Sequence, residues 1–329
     1  MAIGYRGSYD NAGAANTNGS NLNFSLSGTS AALGDVAIAC IYSRASTKTV
    51  TSVSNVTQVS GQYVSTANGG MIWLGQKVLL AADITNDYFG TYTLNSVSNG
   101  TVGYSVMVFS GVHGTTPIDR TATPVAGGAS NIPNPPAVTH TAGSTIVTAF
   151  GKMDDSAASV TAPTNYTTAT TAWWDATLGT DGTSGLAYYL NVSGTSEDPG
   201  TWTTASGGLS TYWYACTISL SPQPAPAVTS LSVSSGSQLG GTAVTITGTA
   251  FYGATGVTFG GTAATSVVVV DDTSITCVSP AHAAGSNLQV QVTGPGGASS
   301  DVAGDNYTYL ADVVGGSVDP FGMSGFFGV

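Results

Sequence analysis

The sequence contains few charged residues, and most of those are acidic. Charged residues make up 7% of the 329 positions, whereas about a quarter is usual in soluble domains. Six Lys and Arg stand against seventeen Asp and Glu, the net charge is −11, and no two basic residues are adjacent. Because phosphate binding needs clustered cations, we expect no nucleic-acid partner. The acidic balance also argues against attraction to an anionic membrane surface.

Long apolar segments are also missing from the sequence. The first twenty residues contain no apolar core of signal-peptide length, and no later run is long enough to span a bilayer as a helix. We therefore expect a protein made in a cytoplasm, without export by the ordinary secretory route and without membrane insertion.

Cysteine is scarce. Cys40, Cys216 and Cys277 each lie in an apolar, alternating pattern typical of strands. Their odd number favours buried free thiols that act as small hydrophobic side chains. The sequence leaves open whether Cys40 and Cys216 face each other across a sheet sandwich, and whether they form a disulfide.

Residue groups that carry catalysis or bind metals are not evident. His113, His140 and His282 lie in separate predicted loops, without a Cys or carboxylate at metal-ligand spacing. No GxSxG elbow accompanies the many serines. We therefore predict a protein that is not an enzyme and that has no cofactor.

Adjacent carboxylates occur at Asp154-Asp155 and Asp271-Asp272, and the single glutamate, Glu197, is followed by an aspartate. Neighbours on a strand point to opposite faces, so neither Asp pair forms a glycosidase dyad by itself. We interpret them as turn residues.

Calcium binding is an alternative role for some of the aspartates. Asp83, Asp87 or the Asp154-Asp155 loop would supply the hard oxygen ligands that Ca²⁺ prefers. No EF-hand-like spacing supports such a site.

Strand patterns fill the chain, which predicts an all-β protein. Val36–Tyr42 is a nearly continuous apolar run of strand length, and Asn99-Gly100 is a strong hairpin signal between two further strands. Valines spaced by three within residues 47–60 imitate a helix, but β-branched residues and threonines favour strands there. We expect eight to ten strands and no helix between Leu22 and Leu220, arranged as a jelly-roll or lectin-like β-sandwich.

The composition divides the chain into five parts. Residues 1–20 form an irregular N-terminal arm, and residues 21–221 form the sandwich. Residues 222–226 are a stiff, proline-rich linker that holds two bodies apart. Residues 227–310 form a second, immunoglobulin-like β-sandwich with tight Gly-Gly bends. Residues 311–329 are a Gly- and Phe-rich tail.

The second sandwich resembles an IPT/TIG domain, which has an immunoglobulin-like fold. The resemblance is carried by Gly240-Gly241-Thr242, Val244, Ile246, Gly248, Phe251, Val257, Phe259, Gly260, Ile275, Pro280, Val290, Val292 and Gly297. Ser234 and Ala250 depart from the family pattern, where proline and asparagine are usual. The resemblance implies a spacer or a protein-binding unit rather than a catalyst.

The first sandwich resembles a jelly-roll domain found in bacteriophage virion proteins and bacterial surface proteins. The resemblance is carried by Gly34-Asp35, Phe109-Ser110-Gly111-Val112, Pro117-Ile118-Asp119, Ile146-Val147, Trp202 and Ala215. It implies a structural or ligand-displaying sandwich without a catalytic set.

Aromatic residues are the candidate binding residues. Trp173, Trp174, Trp202 and Trp213 would form stacking platforms for a host-surface glycan if their faces were exposed. The alternative is that they fill the core, since adjacent Trp173 and Trp174 on a strand point opposite ways.

The C-terminal tail is a candidate docking peptide. Phe321, Met323, Phe326 and Phe327 are bulky apolar groups that would be a liability in water. The alternative is that the tail folds back onto its own IPT/TIG module.

These observations predict a non-enzymatic structural protein of a tailed bacteriophage virion, either a capsid decoration, a fibre-like subunit or a tail appendage. It would assemble through its termini with other capsid or tail proteins and with itself. The alternative is a carbohydrate-binding adhesin, on a phage tail or on a bacterial surface. An enzyme such as a glycan depolymerase is a third, weaker option, because no acid/base pair is evident.

Overall fold

The computed structural model describes residues 2–11, 21–43, 50–64, 70–94, 102–128, 132–153, 157–174, 182–206 and 212–312. These residues form an all-β protein, as the sequence predicted. The N-terminal body contains one helix, α1 (Ala81–Asn86), and the strands β1 (Gly4–Asn11), β2 (Asn21–Ser25), β3 (Val36–Ser43), β4 (Val50–Ser54), β5 (Thr57–Val64), β6 (Met71–Val78), β7 (Tyr88–Leu94), β8 (Val102–Ser110), β9 (Ile118–Thr121), β10 (Val125–Gly127), β11 (Val138–Thr139), β12 (Ser144–Met153), β13 (Ala157–Thr161), β14 (Thr167–Trp174), β15 (Gly182–Val192), β16 (Ser196–Glu197), β17 (Thr203–Ser206) and β18 (Trp213–Leu220).

Two antiparallel sheets form the centre of this body. The first has the strand order β1-β8-β3-β6-β5, and the second has the order β10-β18-β12-β15-β14, with β9 paired to β18. Their facing side chains form one core, to which Ile38, Cys40, Val147 and Cys216 belong. The two cysteines therefore lie in the same core on opposite sheets, and both are free thiols.

A further layer covers the outer face of each central sheet. The three-stranded sheet β2-β7-β4 packs on the first, where the ring of Phe24 stacks on Trp73. The ribbons β11-β16 and β13-β17 accompany the second, where Trp202 packs on Phe150. Strands covered on both faces need apolar side chains on both, which explains why the whole of Val36–Ser43 is buried.

The predicted irregular arm over residues 1–20 is partly a strand. β1 pairs antiparallel with β8 at the edge of the first central sheet. The prediction was therefore wrong for this segment, whereas residues 12–20 lie outside the described residues. The strand left little apolar periodicity, because Tyr5 and Tyr9 are its large apolar side chains and a bulge precedes Gly7.

The helix α1 was not predicted. The Asp83 carboxylate accepts a hydrogen bond from the backbone N–H of Leu80 at 2.8 Å, and its other oxygen contacts Nζ of Lys77 at 2.6 Å. Asp83 thereby satisfies a free donor at the start of the helix. Six residues are too few to leave a clear helical periodicity in the sequence.

The hairpin predicted around Asn99-Gly100 is not formed by the flanking strands. β7 belongs to the outer three-stranded sheet and β8 to the first central sheet. Asn99 and Gly100 themselves lie outside the described residues. An Asn-Gly pair indicates a local turn, but it does not specify that both strands join one sheet.

The C-terminal body is the predicted two-sheet sandwich. One sheet has the order β19-β21-β25-β24, and the other has the order β20-β28-β26-β22-β23, with β27 paired to β26. Between them lies a core that includes Ile246, Phe251 and Phe259. The elements are β19 (Ala227–Leu231), β20 (Ser235–Ser237), β21 (Ala243–Thr249), β22 (Gly256–Phe259), β23 (Thr262–Ala263), β24 (Thr265–Asp271), β25 (Ser274–Val278), β26 (Gly285–Gly294), β27 (Gly297–Ala298), the 3-10 turn Ala303–Asp305 and β28 (Asn306–Leu310).

Candidate functional site

The proline-rich linker joins the two bodies instead of holding them apart. Its backbone pairs with the N-terminal body, since Gln223 N donates to Gly111 O, and the preceding Ser221 N donates to Pro117 O. Val112 and Pro222 form a further β-bridge. The expectation of a spacer failed because the linker has a neighbouring strand end to pair with, which its composition does not reveal.

Gln223 connects both bodies through its side chain, which is only 3% exposed. Its Oε1 atom accepts a hydrogen bond from Gly114 N in the N-terminal body at 2.8 Å. Its Nε2 atom donates to Oδ1 of Asp272 in the C-terminal body at 3.3 Å. A buried amide with donor and acceptor both engaged fixes the relative position of the two partners.

Asp272 holds the loop that faces the N-terminal body. Its Oδ1 atom also accepts a hydrogen bond from Tyr252 N at 3.1 Å, and its backbone carbonyl accepts one from Phe251 N. The same carboxylate therefore binds the linker and the Phe251-Tyr252 loop. We call Gln223, Asp272 and Tyr252 the junction.

The Tyr252 ring lies between two glycines of the N-terminal body. A Cβ atom at Gly34 would lie 2.5 Å from its Cγ atom, and one at Gly114 would lie 2.8 Å from its Cδ2 atom. Burial raises the pKa of the Tyr252 hydroxyl, and the nearby Asp272 and Asp271 carboxylates raise it further. Tyr252 thus acts as a neutral, inserted contact.

A cleft lies beside the junction, lined among others by Arg6, Asp35, Ser110 and Pro295. Nε of Arg6 lies 3.3 Å from Oδ2 of Asp35. Burial raises the Asp35 pKa to about 6, although the Ala32 N–H and Arg6 oppose the rise. The cleft volume is about 180 Å³, below the ~300–1,000 Å³ usual for ligand pockets. Its geometry therefore suits a packed junction better than a substrate site.

The predicted tryptophan sites separate into two pairs. Trp202 is fully buried, with its ring centroid 4.8 Å from that of Phe150, and Trp213 is 8% exposed in the same cluster. These two fill the core and present no free face to a glycan. Trp173 and Trp174 lie on β14, opposite Thr183 and Gly182, and their side chains fall outside the described part of the chain.

The predicted docking residues of the tail, Phe321, Met323, Phe326 and Phe327, lie outside the described residues, which end at Asp312.

The aspartates predicted as possible calcium ligands either have structural roles at α1 or lie outside the described residues. Asp83 binds Lys77 and the start of α1, and Asp87 ends that helix with a left-handed φ of 57°. Asp154 and Asp155 lie outside the described residues. Over the described ranges, no three His, Cys, Asp or Glu side chains are grouped as metal ligands.

The histidines occupy three different environments. Nδ1 of His113 accepts a hydrogen bond from Thr115 N. His140 is buried beside the start of β12. The His282 ring stacks on Tyr309 in the C-terminal body. His113 lies beside the junction, since its backbone N–H donates to Ser221 O and Gly114 follows it, whereas the other two are not among the residues that form it.

The sequence did not single out the residues that form the junction. Gly34-Asp35 belongs to the pattern that resembles a jelly roll, and Tyr252 follows Phe251 of the IPT/TIG pattern, but neither pattern indicates a contact between bodies. Gln223 sits between two prolines, and nothing in that pattern indicates that its amide is buried.

Comparison with known families identifies the C-terminal body. Residues 226–309 match the IPT/TIG domain, a non-catalytic immunoglobulin-like module, which confirms the resemblance for this part of the chain. The jelly-roll resemblance of the N-terminal body is not confirmed. No curated protein shows significant similarity to the chain. In the described residues, no helix combines the length and apolar character needed to cross a bilayer.

Proposed function

We propose that the protein is a non-enzymatic structural subunit of a tailed bacteriophage virion, which displays two β-bodies as one stiff unit. The junction is the observation that carries this proposal. Gln223 and Asp272 link the bodies through buried hydrogen bonds, and Tyr252 inserts between two glycines. A rigid connection suits a protein that presents a surface on a particle, because free rotation about the linker would leave that surface without a fixed orientation.

The composition supports the same proposal. A surface of hydroxyls and amides with 7% charged residues offers little charge-based solubility and suits a subunit that is covered by neighbours. The subunit would be made in the host cytoplasm, bind capsid or tail proteins and copies of itself, and serve as a decoration, fibre-like or tail-appendage protein. It would need neither cofactor, nucleic acid nor membrane.

The adhesin alternative now depends on Trp173 and Trp174. Both lie on β14, which is the edge strand of the second central sheet. A glycan array probed with the full chain tests it. Binding that is lost in Trp173→Ala or Trp174→Ala would favour an adhesin over a decoration subunit.

Particle composition provides the direct test of the virion role. Quantitative mass spectrometry of purified phage particles should find the chain in a fixed ratio to the major capsid or tail proteins. Negative-stain images of particles lacking the chain should lose a projecting density. Absence from purified particles, or turnover of any polysaccharide by the purified chain, would refute the proposal.

A further inference from the structure

The strand β24 exposes two large apolar side chains. Val268 is 55% exposed and Val270 is 51% exposed, whereas Val267 and Val269 between and beside them pack against the core. The alternation places the two exposed valines on the outer face of the sheet β19-β21-β25-β24. We call Val268 and Val270 the valine face.

The edge strand that carries this face is irregular in its pairing with β25, between Thr265 and Val268 and between Val269 and Asp271. In the part of the chain that the structure describes, β24 pairs with β25 alone and forms the border of its sheet. Asp271 is the single charged residue in the four strands of that sheet. Natural edge strands are usually guarded by charged side chains, Pro, bulges or a covering segment. These features guard the backbone edge, but Val268 and Val270 stay exposed on the outer face, where a partner that covers them would remove apolar surface from water.

The C-terminal tail leaves the domain at the opposite border. The described chain ends after β28, where Ser237 Oγ on β20 donates to the Asp312 carboxylate at 2.9 Å. β19 and β20 are consecutive in the chain and are edge strands of the two sheets at one border. β23 and β24 are also consecutive and are the edge strands at the other border. Seventeen residues, 313–329, extend beyond this point.

The tail leaves the domain at one border, and the valine face lies at the other border. This placement suits neighbouring copies arranged head to tail. Such heterologous contacts build rings or filaments. Seventeen extended residues reach at most about 56–61 Å, enough to cross to an adjacent domain. The tail carries Phe321, Met323, Phe326 and Phe327 and a single charged side chain, Asp319, so its apolar part matches the exposed Val268 and Val270.

We propose that the C-terminal tail of one copy docks on the valine face of the next copy. This inference rests on the proposed function in one respect, that the subunit assembles with copies of itself, and it names the surface that accepts the terminus. Burial of the tail residues against Val268 and Val270 removes both apolar surfaces from water.

Complementation between two half-defective variants tests the proposal. The acceptor variant, Val268→Lys with Val270→Lys, disrupts the valine face. The tail variant, Phe326→Ser with Phe327→Ser, disrupts the tail that would dock on it. Light scattering over a concentration series should show self-association of the natural chain and at least tenfold weaker association of either variant. An equimolar mixture of the two variants should form a one-to-one dimer, because each supplies the half that the other lacks. Val233→Lys, at another exposed valine (40%), is the matched control and should associate normally.

Other outcomes overturn the proposal. A natural chain that stays monomeric, or an acceptor variant that associates normally, would exclude this contact. Loss of self-association in the acceptor variant, with normal self-association in the tail variant, would indicate edge-to-edge pairing of two β24 strands. Aggregation on deletion of residues 313–329 from a monomeric protein would indicate that the tail covers its own copy. Unchanged circular dichroism in each variant excludes misfolding as the cause, and particle composition tests the virion role separately.

Discussion

The Tyr252 ring contacts the Cα side of Gly34, at the place where any other residue would carry its Cβ atom. Tyr252 of the C-terminal body can approach Gly34 of the N-terminal body this closely because Gly34 has no side chain. Gly34 also adopts a left-handed φ of 82°, so both the backbone conformation and the contact require glycine.

Gly34→Ala should loosen the junction. The added methyl group would displace the Tyr252 ring, and the left-handed conformation adds strain of about 1 kcal/mol. Gly241→Ala is the matched control, because Gly241 has the same φ of 82° but open space where a Cβ would lie. Limited proteolysis within residues 221–226 should be faster in Gly34→Ala than in Gly241→Ala. Equal rates would show that the ring contact does not hold the bodies together.

Gln223→Glu should weaken the junction in a pH-dependent manner. A carboxylate at this position loses the donor to Asp272 and places two negative charges together, which we expect to cost about 2–3 kcal/mol at neutral pH. At low pH the protonated carboxyl can donate again, so the defect should shrink. Thermal unfolding of the variant and the natural chain between pH 4.5 and 8 measures the difference. A defect that does not depend on pH would contradict this assignment.

Stability should fall as the pH rises from about 4 to 7. Burial raises the pKa of Asp10 and of Asp35 from 3.8 to about 6 in the folded protein. The folded state therefore binds these protons more tightly than the unfolded state, and the resulting stabilisation, fully present below about pH 4, is lost as the pH passes 6.

Asp10→Asn should reduce the change in the free energy of unfolding between about pH 4 and 7 by roughly 1–2 kcal/mol. Asp271→Asn is the control, since hydrogen bonds from Thr273 shift the pKa of this exposed carboxyl in the opposite direction, downward. Denaturant unfolding at several pH values provides the measurement. An unchanged profile in Asp10→Asn would show that this carboxyl does not titrate as described.

All three thiols should be unreactive in the native protein. Burial raises the pKa of Cys40 and Cys216 well above the usual range, and the proximity of Cys216 adds to the rise at Cys40. Burial also raises the pKa of Cys277 to about 11. A thiol assay should therefore detect none in buffer and three in denaturant. One thiol in denaturant would instead indicate a Cys40–Cys216 disulfide.

Local patterns predicted the C-terminal body well and the N-terminal body in part. Gly240-Gly241 and Gly260-Gly261 all have left-handed φ angles, at the bends that the sequence indicated. Val36–Ser43 formed the expected central strand. The four-layer arrangement was not predictable from these runs, because a continuous apolar strand shows that both faces are covered without showing what covers them.

The sequence by itself determined the all-β class and the IPT/TIG domain, because strand periodicity and glycine turns act over a few neighbouring residues. Only the tertiary structure decided that β1 joins the core sheet, that Trp202 and Trp213 are buried, and that the linker locks the bodies together. Gly114 and Gln223 are 109 positions apart in the chain. A contact at that distance depends on how whole sheets pack, which no local pattern specifies.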